Sequence, residues 1–220
     1  MTVKELAGLR ISPLVAFAAL VSGATGVALA HVGQDLDPLR ATVGEYAVTD
    51  GGVTGLATAL VAIGSLALLA GLRAAGAPVR GVPERLLMVW SGALLVASAV
   101  PATPLAADPA VAAQIHRYAS AVAFVSLPAA GALLVPRLTR DRAWRPVART
   151  VEWLTLAGGL GVLAITYVAL PGQGVMIGLV ERALLGAELA LLTVLAAWLV
   201  RLVWGKSLAK FPTYHRFIAS

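Results

Sequence analysis

Six long apolar runs, separated by short polar connections, organise this chain. They cover about 13–32, 52–72, 86–104, 115–136, 151–170 and 178–203, each near the ~20 residues that cross a hydrocarbon core as a helix. None alternates apolar and polar positions as a barrel strand does. The expected class is therefore all-α: a polytopic membrane protein with six transmembrane helices in one bundle. A polar leader, 1–12, precedes the bundle of 13–204, and a basic tail, 205–220, follows it. The third run is the shortest and is closed by Pro101 and Pro104, so it needs its flanks to reach across. The first run also has the look of a secretory signal, with Lys4 and Arg10 before it and Ala28-Leu29-Ala30 at its end. We read it as a retained span.

Composition agrees with the pattern. The chain is 59% hydrophobic and 13% charged, about half the charge of an ordinary soluble domain. It has no cysteine, which excludes disulfides, iron–sulfur clusters and thiolate metal sites. Charge placement adds orientation. Of the 17 Lys and Arg, 14 fall in the leader, the second and fourth connections and the tail, while Arg40, Arg117 and Arg182 stand alone in the others. The positive-inside rule then places both termini in the cytoplasm and the odd-numbered connections outside. The basic turns are orientation signals and call for no nucleic acid.

On that topology the unusual polar groups gather at the outer end. His31, Asp35, Asp37, Arg40, Glu45, Tyr46 and Asp50 lie between the first two runs. Asp108, His116 and Arg117 lie at the mouth of the fourth, and Gln173, Glu181 and Arg182 at the start of the sixth. His116 and Ser120 share a helical face. Arg182 and Arg201 are 19 residues apart, ~28 Å along a helix, so both reach an interface and Glu181 is expected at the outer surface. Glu188 lies seven residues on, on the same face and ~10 Å deeper. A carboxylate at that depth is costly unless protonated, paired or wetted.

Plainer readings stand beside these. Glu181 and Arg182 can simply anchor the helix start, and Glu188 can be a neutral acid that staples two helices. Asp35 and Asp37, before Pro38, suit a turn. A zinc site from His31, Asp35 or Asp37, His116 and Glu181 has no spaced motif behind it, and a haem between His31 and His116 would hang at the bundle's edge. No cofactor or metal is expected. No phosphate loop or serine elbow is present, and Gly158-Gly159-Leu160-Gly161 reads as helix packing.

Several short motifs carry a resemblance. They are Asp37-Pro38-Leu39-Arg40, then Glu45-Tyr46-Ala47, Pro101 with its acidic loop, His116, Phe124-Val125-Ser126-Leu127-Pro128 and Gly178-Leu179-Val180-Glu181-Arg182. Together, from about Pro13 to Arg201, they resemble the bacterial integral-membrane family called domain of unknown function 998. Members often carry Ser where this chain has Gly44, which here removes a hydroxyl from any such site. The resemblance implies a six-span bundle in the bacterial cytoplasmic membrane with an outward polar cluster at Glu45, His116, Glu181 and Arg182, and it implies no mechanism.

The functional expectation is a polar pocket on the extracytoplasmic side that binds or acts on a lipid-like or isoprenoid-like substrate. The candidate catalytic groups are Glu188, Glu181, His116 and Glu45, with Glu188 as general acid. The candidate substrate-binding groups are Arg182, Arg117, Asp37, Arg40, Tyr46 and Asp50, with Arg182 and Arg117 suited to a phosphate or carboxylate. Expected partners are membrane lipid, a hydrophobic or amphipathic small molecule, and a homo-oligomer or protein partner. Two other classes remain open: a non-catalytic membrane subunit or sensor, and a small-molecule or lipid transporter. Convergence of the polar groups on a cavity distinguishes the first reading from a splayed docking surface, and a polar route to the cytoplasm marks the transporter.

Overall fold

The computed structural model describes residues 3–30, 36–100 and 109–208. Its elements are α1 (Val3–Ala30), α2 (Val43–Thr49), α3 (Val53–Ala74), α4 (Val82–Ala99), α5 (Pro109–Arg140), α6 (Arg145–Ala169) and α7 (Ile177–Leu208). All except α2 are long and apolar enough to cross a membrane, and no strand occurs among the described residues. The protein is a multi-pass helical membrane protein. Helices suit this setting because each satisfies its own backbone groups without water.

The six long helices form a ring in chain order, with α7 closing it against α1 and reaching inward to α3 and α5. Leu20, Leu68, Trp90, Leu127, Leu134, Leu192 and Leu199 fill the interior, all fully buried. Apolar side chains on the outside, such as Leu160, Leu163 and Tyr167 on α6, stay exposed. That is the surface a helix presents to acyl chains.

Small residues set the close crossings, as expected where lipid removes the hydrophobic drive between helices. A Cβ on Gly23 would meet Val61 and the Ala57 carbonyl, and one on Gly64 would stand 3.0 Å from Ala19 Cβ and 3.1 Å from Leu20 N. The Gly158–Gly161 stretch packs both ways: Gly158 meets Pro128 of α5, and Gly161 meets Leu184 of α7.

Two boundaries differ from the sequence reading. The span expected at 86–104 is helical from Val82, because Pro83 sits in the first turn, where its missing N–H leaves no bond unmade. Of its expected end, 101–104 lies outside the described residues. The first connection contains α2, a helix that its polar composition concealed. One end of the bundle is tied by Arg73 to Glu84 across the α3–α4 turn, by Arg137 to the Arg80 carbonyl, and by Trp198 Nε1 to the Ala143 carbonyl at 3.0 Å.

Gly64→Val is expected to wedge α1 from α3 and to cost about 1–3 kcal/mol. Thermal unfolding of the detergent-purified protein checks this, and an unchanged Tm would contradict the packing described.

Candidate functional site

The first connection folds onto the start of α7 through main-chain groups. Asp37 turns the chain: its Oδ1 accepts from Leu39 N at 2.9 Å, and its carbonyl accepts from Arg40 N and Ala41 N. Arg182 then donates through one guanidinium nitrogen to the Pro38 and Ala41 carbonyls, while its cation stands 5.1 Å over the Tyr46 ring. Leu39 accepts from Leu179 N at 3.3 Å, which partners one of the free amides at the start of α7. Gly178 permits this approach, since a Cβ there would collide with the Ala41 carbonyl.

Helix α2 begins at the same place. Thr42 and Glu45 form a reciprocal capping box, with Thr42 N donating to Glu45 Oε2 at 2.7 Å and Glu45 N to Thr42 Oγ1 at 3.2 Å. The next amide, Val43 N, donates to Glu181 Oε2 at 2.8 Å. Glu181 therefore serves α2 from another helix. Expected at the outer surface, it is half-buried beneath the connection. Tyr46 is fully buried, and its hydroxyl donates to the Leu36 carbonyl.

Asp50 holds the start of α3, accepting from Gly52 N at 2.9 Å and Thr54 N at 2.7 Å. Gly51 and Gly52 make the turn between the helices with φ of 65° and 93°, which other residues rarely adopt. Burial alone would raise the Asp50 carboxyl, but hydrogen bonds from Thr54, Gly52 and Val53 outweigh it and hold the group below its usual range. Its stabilising effect is thus present above the ordinary Asp range and fades as pH falls through the lowered value.

Behind α2 lies a cleft of about 60 Å³. Val43, Gly44 and Ala47 form one wall, and His116, Ser120, Glu181, Thr54, Thr58 and Ser98 give it polar groups. Leu94, Phe124 and Leu185 also line it. It is far smaller than the ~300–1,000 Å³ of a typical small-molecule site, so it admits a few waters or one small head group.

His116 is oriented within this cleft. Its Nδ1 lies 3.0 Å from the Ala97 carbonyl, which can only accept, so Nδ1 carries the proton and Nε2 of the neutral ring is left as an acceptor. That Nε2 faces Gly44, where an added Cβ would stand only 3.1 Å away. The absent side chain leaves the nitrogen open.

Glu188 lies deeper in the bundle, 2% exposed, with Oε2 at 3.5 Å from Trp90 Nε1 and no partner for Oε1 among the described residues. It does not line the cleft. Leu185 and Leu94, one helical turn from Glu188 and Trp90, line it instead.

Of the groups named from sequence, the fold brings His116 and Glu181 together on the cleft. Arg182, Glu45, Tyr46 and Asp50 build the connection that walls it, and none of the four lines it. Asp37 and Arg40 pair with each other at 3.8 Å, but their side chains are 54% and 84% exposed, so they form part of an outer turn. Arg117 and Gln173 are exposed, and Gln173 holds a left-handed turn before α7. His31, Asp35 and Asp108 lie outside the described residues. Among those described, no three His, Asp or Glu side chains group closely enough to hold a metal ion. Sequence reasoning missed Gly44 as a wall, the Ala97 carbonyl as the group that orients His116, and Trp90 as the partner of Glu188. Only the capping box had a legible signal, in Thr42-x-x-Glu45.

A family profile described as protein of unknown function (DUF998) matches residues 14–198, most of the chain. The chain belongs to the DUF998 family. No curated protein and no solved structure matches it. The matched region of this DUF998 protein takes in all of α2–α6, the cleft and Glu188, and it stops short of the end of α7.

Asp50→Ala removes two bonds at the start of α3 and is expected to cost about 1 kcal/mol. The loss should shrink as pH falls below the ordinary Asp range, read as Tm against pH for both proteins. Glu188→Gln keeps an acceptor for Trp90 Nε1 and should hardly change Tm. Glu188→Ala leaves that N–H unpaired and should cost about 1–3 kcal/mol.

Proposed function

We propose that this DUF998 protein binds the polar end of a lipid-like molecule in the cleft behind α2, at the extracytoplasmic end of the bundle. The observation that carries the reading is the pairing of an oriented imidazole with an empty wall: His116 Nε2 faces the space left by Gly44, with Glu181 on the same cleft. A histidine whose outer nitrogen is held by a carbonyl and whose inner nitrogen faces a cavity is poised to accept a proton or hydrogen bond. The cleft's size supports recognition of a head group, with the chain lying along the apolar outer faces of the helices. The charge bias of the connections supports an N-in, C-in orientation in a bacterial cytoplasmic membrane.

Catalysis belongs to the same proposal only through His116 and Glu181. Glu188 as general acid has weaker support, because it lies a turn beyond Leu185 and outside the cleft.

Lipid extraction and native mass spectrometry of the purified protein test the reading. A single co-purifying lipid is expected from the wild type and should be lost from His116→Ala, a substitution outside the Glu181–Val43 and Arg182 contacts. Bulk phospholipid alone, unchanged by the substitution, would sink the cleft reading and favour a docking surface for a protein partner.

A further inference from the structure

Resting on the reading that the cleft takes a lipid's polar end, we infer that this end is an uncharged hydroxyl, the head of a lipid alcohol, and not a phosphate, a carboxylate or an amine. The argument comes from which groups line the cleft and what each has left to offer. No Lys, Arg, Asn, Gln or Trp side chain lines it. Neither of the two cations that sequence reasoning assigns to an anionic head lines the cleft: Arg182 donates through Nη1 to the Pro38 and Ala41 carbonyls and covers the Tyr46 ring, its buried Nη2 having no partner among the described residues, and Arg117 is exposed. A phosphate would therefore bring two charges into a mostly apolar cleft with no Lys or Arg on its lining, and burying charge without a counter-charge is costly.

The lining instead offers acceptors. His116 Nε2 is one, for the tautomer reason given above, and the Glu181 carboxylate is another. Thr58 and Ser98, also on the lining, have hydroxyls already committed as donors, to the Thr54 carbonyl at 2.8 Å and the Leu95 carbonyl at 2.9 Å, so what their oxygens have left is acceptor capacity. Ser120 and Thr54 add hydroxyls that can act in either sense, and Thr54 Oγ1 is buried with no hydrogen-bond partner among the described residues. A ligand hydroxyl meets this set with one proton to give and two lone pairs for Ser120. An ammonium has three protons and no lone pair, so it cannot accept from the Ser120 and Thr54 hydroxyls that also line the cleft.

Volume points the same way. About 60 Å³ takes a hydroxyl and the carbons next to it, and Leu94, Phe124 and Leu185 suit the start of an alkyl chain. Gly44 leaves the place beside Nε2 where the ligand oxygen sits.

A matched series that varies only the head decides the matter. Purified protein is given equimolar oleyl alcohol, oleylamine and oleyl phosphate, and native mass spectrometry reads what is retained. The expected result is retention of the alcohol over each of the others by about tenfold or more, the scale of one buried hydrogen bond to a charged or well-oriented partner. His116→Ala and Gly44→Ser should each remove that preference, the second because its own hydroxyl would occupy the space beside Nε2. Preference for the phosphate or the amine overturns the hydroxyl assignment and leaves the lipid reading standing. Retention of none of the three by the wild type overturns both. Displacement of the alcohol by an equal concentration of glycerol overturns the lipid source and assigns the site to a soluble alcohol. An unchanged preference in both variants, each folded by its Tm, overturns the placement at His116.

Discussion

The structure depends on how a polar connection of some twenty residues is held against an apolar bundle. Two adjacent residues at the start of α7 do this by opposite means. Glu181 accepts from an amide at the start of α2, and Arg182 donates to two carbonyls at the preceding turn. Acid and base thus address the two polarities of the backbone, and neither is needed as a partner for the other. The tie also fixes the wall of the cleft, because Val43 and Gly44 are set in place by the same bond that sets Glu181.

This arrangement changes what the charged residues mean. An arginine near one end of a membrane bundle invites a phosphate, yet Arg182 donates to two carbonyls and covers an aromatic ring. The capacity left over on the cleft lies with the imidazole, the Glu181 carboxyl and the Ser120 and Thr54 hydroxyls. On the reading proposed above, what the cleft can recognise follows from the groups that are already engaged as much as from those that are free.

Deeper in the bundle the same economy applies to Glu188. Its carboxyl is shielded by packed leucines and faces an indole N–H, so it joins α7 to α4 within the core. The opposite end relies on Arg73 with Glu84, a pair whose acid is nearly buried and whose base is half exposed. Between these polar points the helices are held by small residues at close crossings and by leucine packing.

The sequence by itself determined the class, the number of spans and the stretches that carry polar groups. Those properties follow from hydropathy and length, because a bilayer demands about 20 apolar residues per helix and leaves little room for alternatives. It also singled out His116, Glu181 and Glu188 as polar groups in unusual places. It did not separate the residues that line a cleft from those that build its wall: Arg182, Tyr46 and Asp50 read as ligand groups, and the fold engages each in holding the chain. That distinction is made by tertiary contacts between residues far apart in the chain, such as Trp90 with Glu188 and Val43 with Glu181, separated by 98 and 138 positions. Hydrogen bonds to main-chain carbonyls leave no mark on residue identity, so the Ala97 carbonyl that orients His116 was invisible until the helices were packed. The emptiness beside Nε2 was equally so, because a glycine reads as a turn or a packing residue until something is seen to face it.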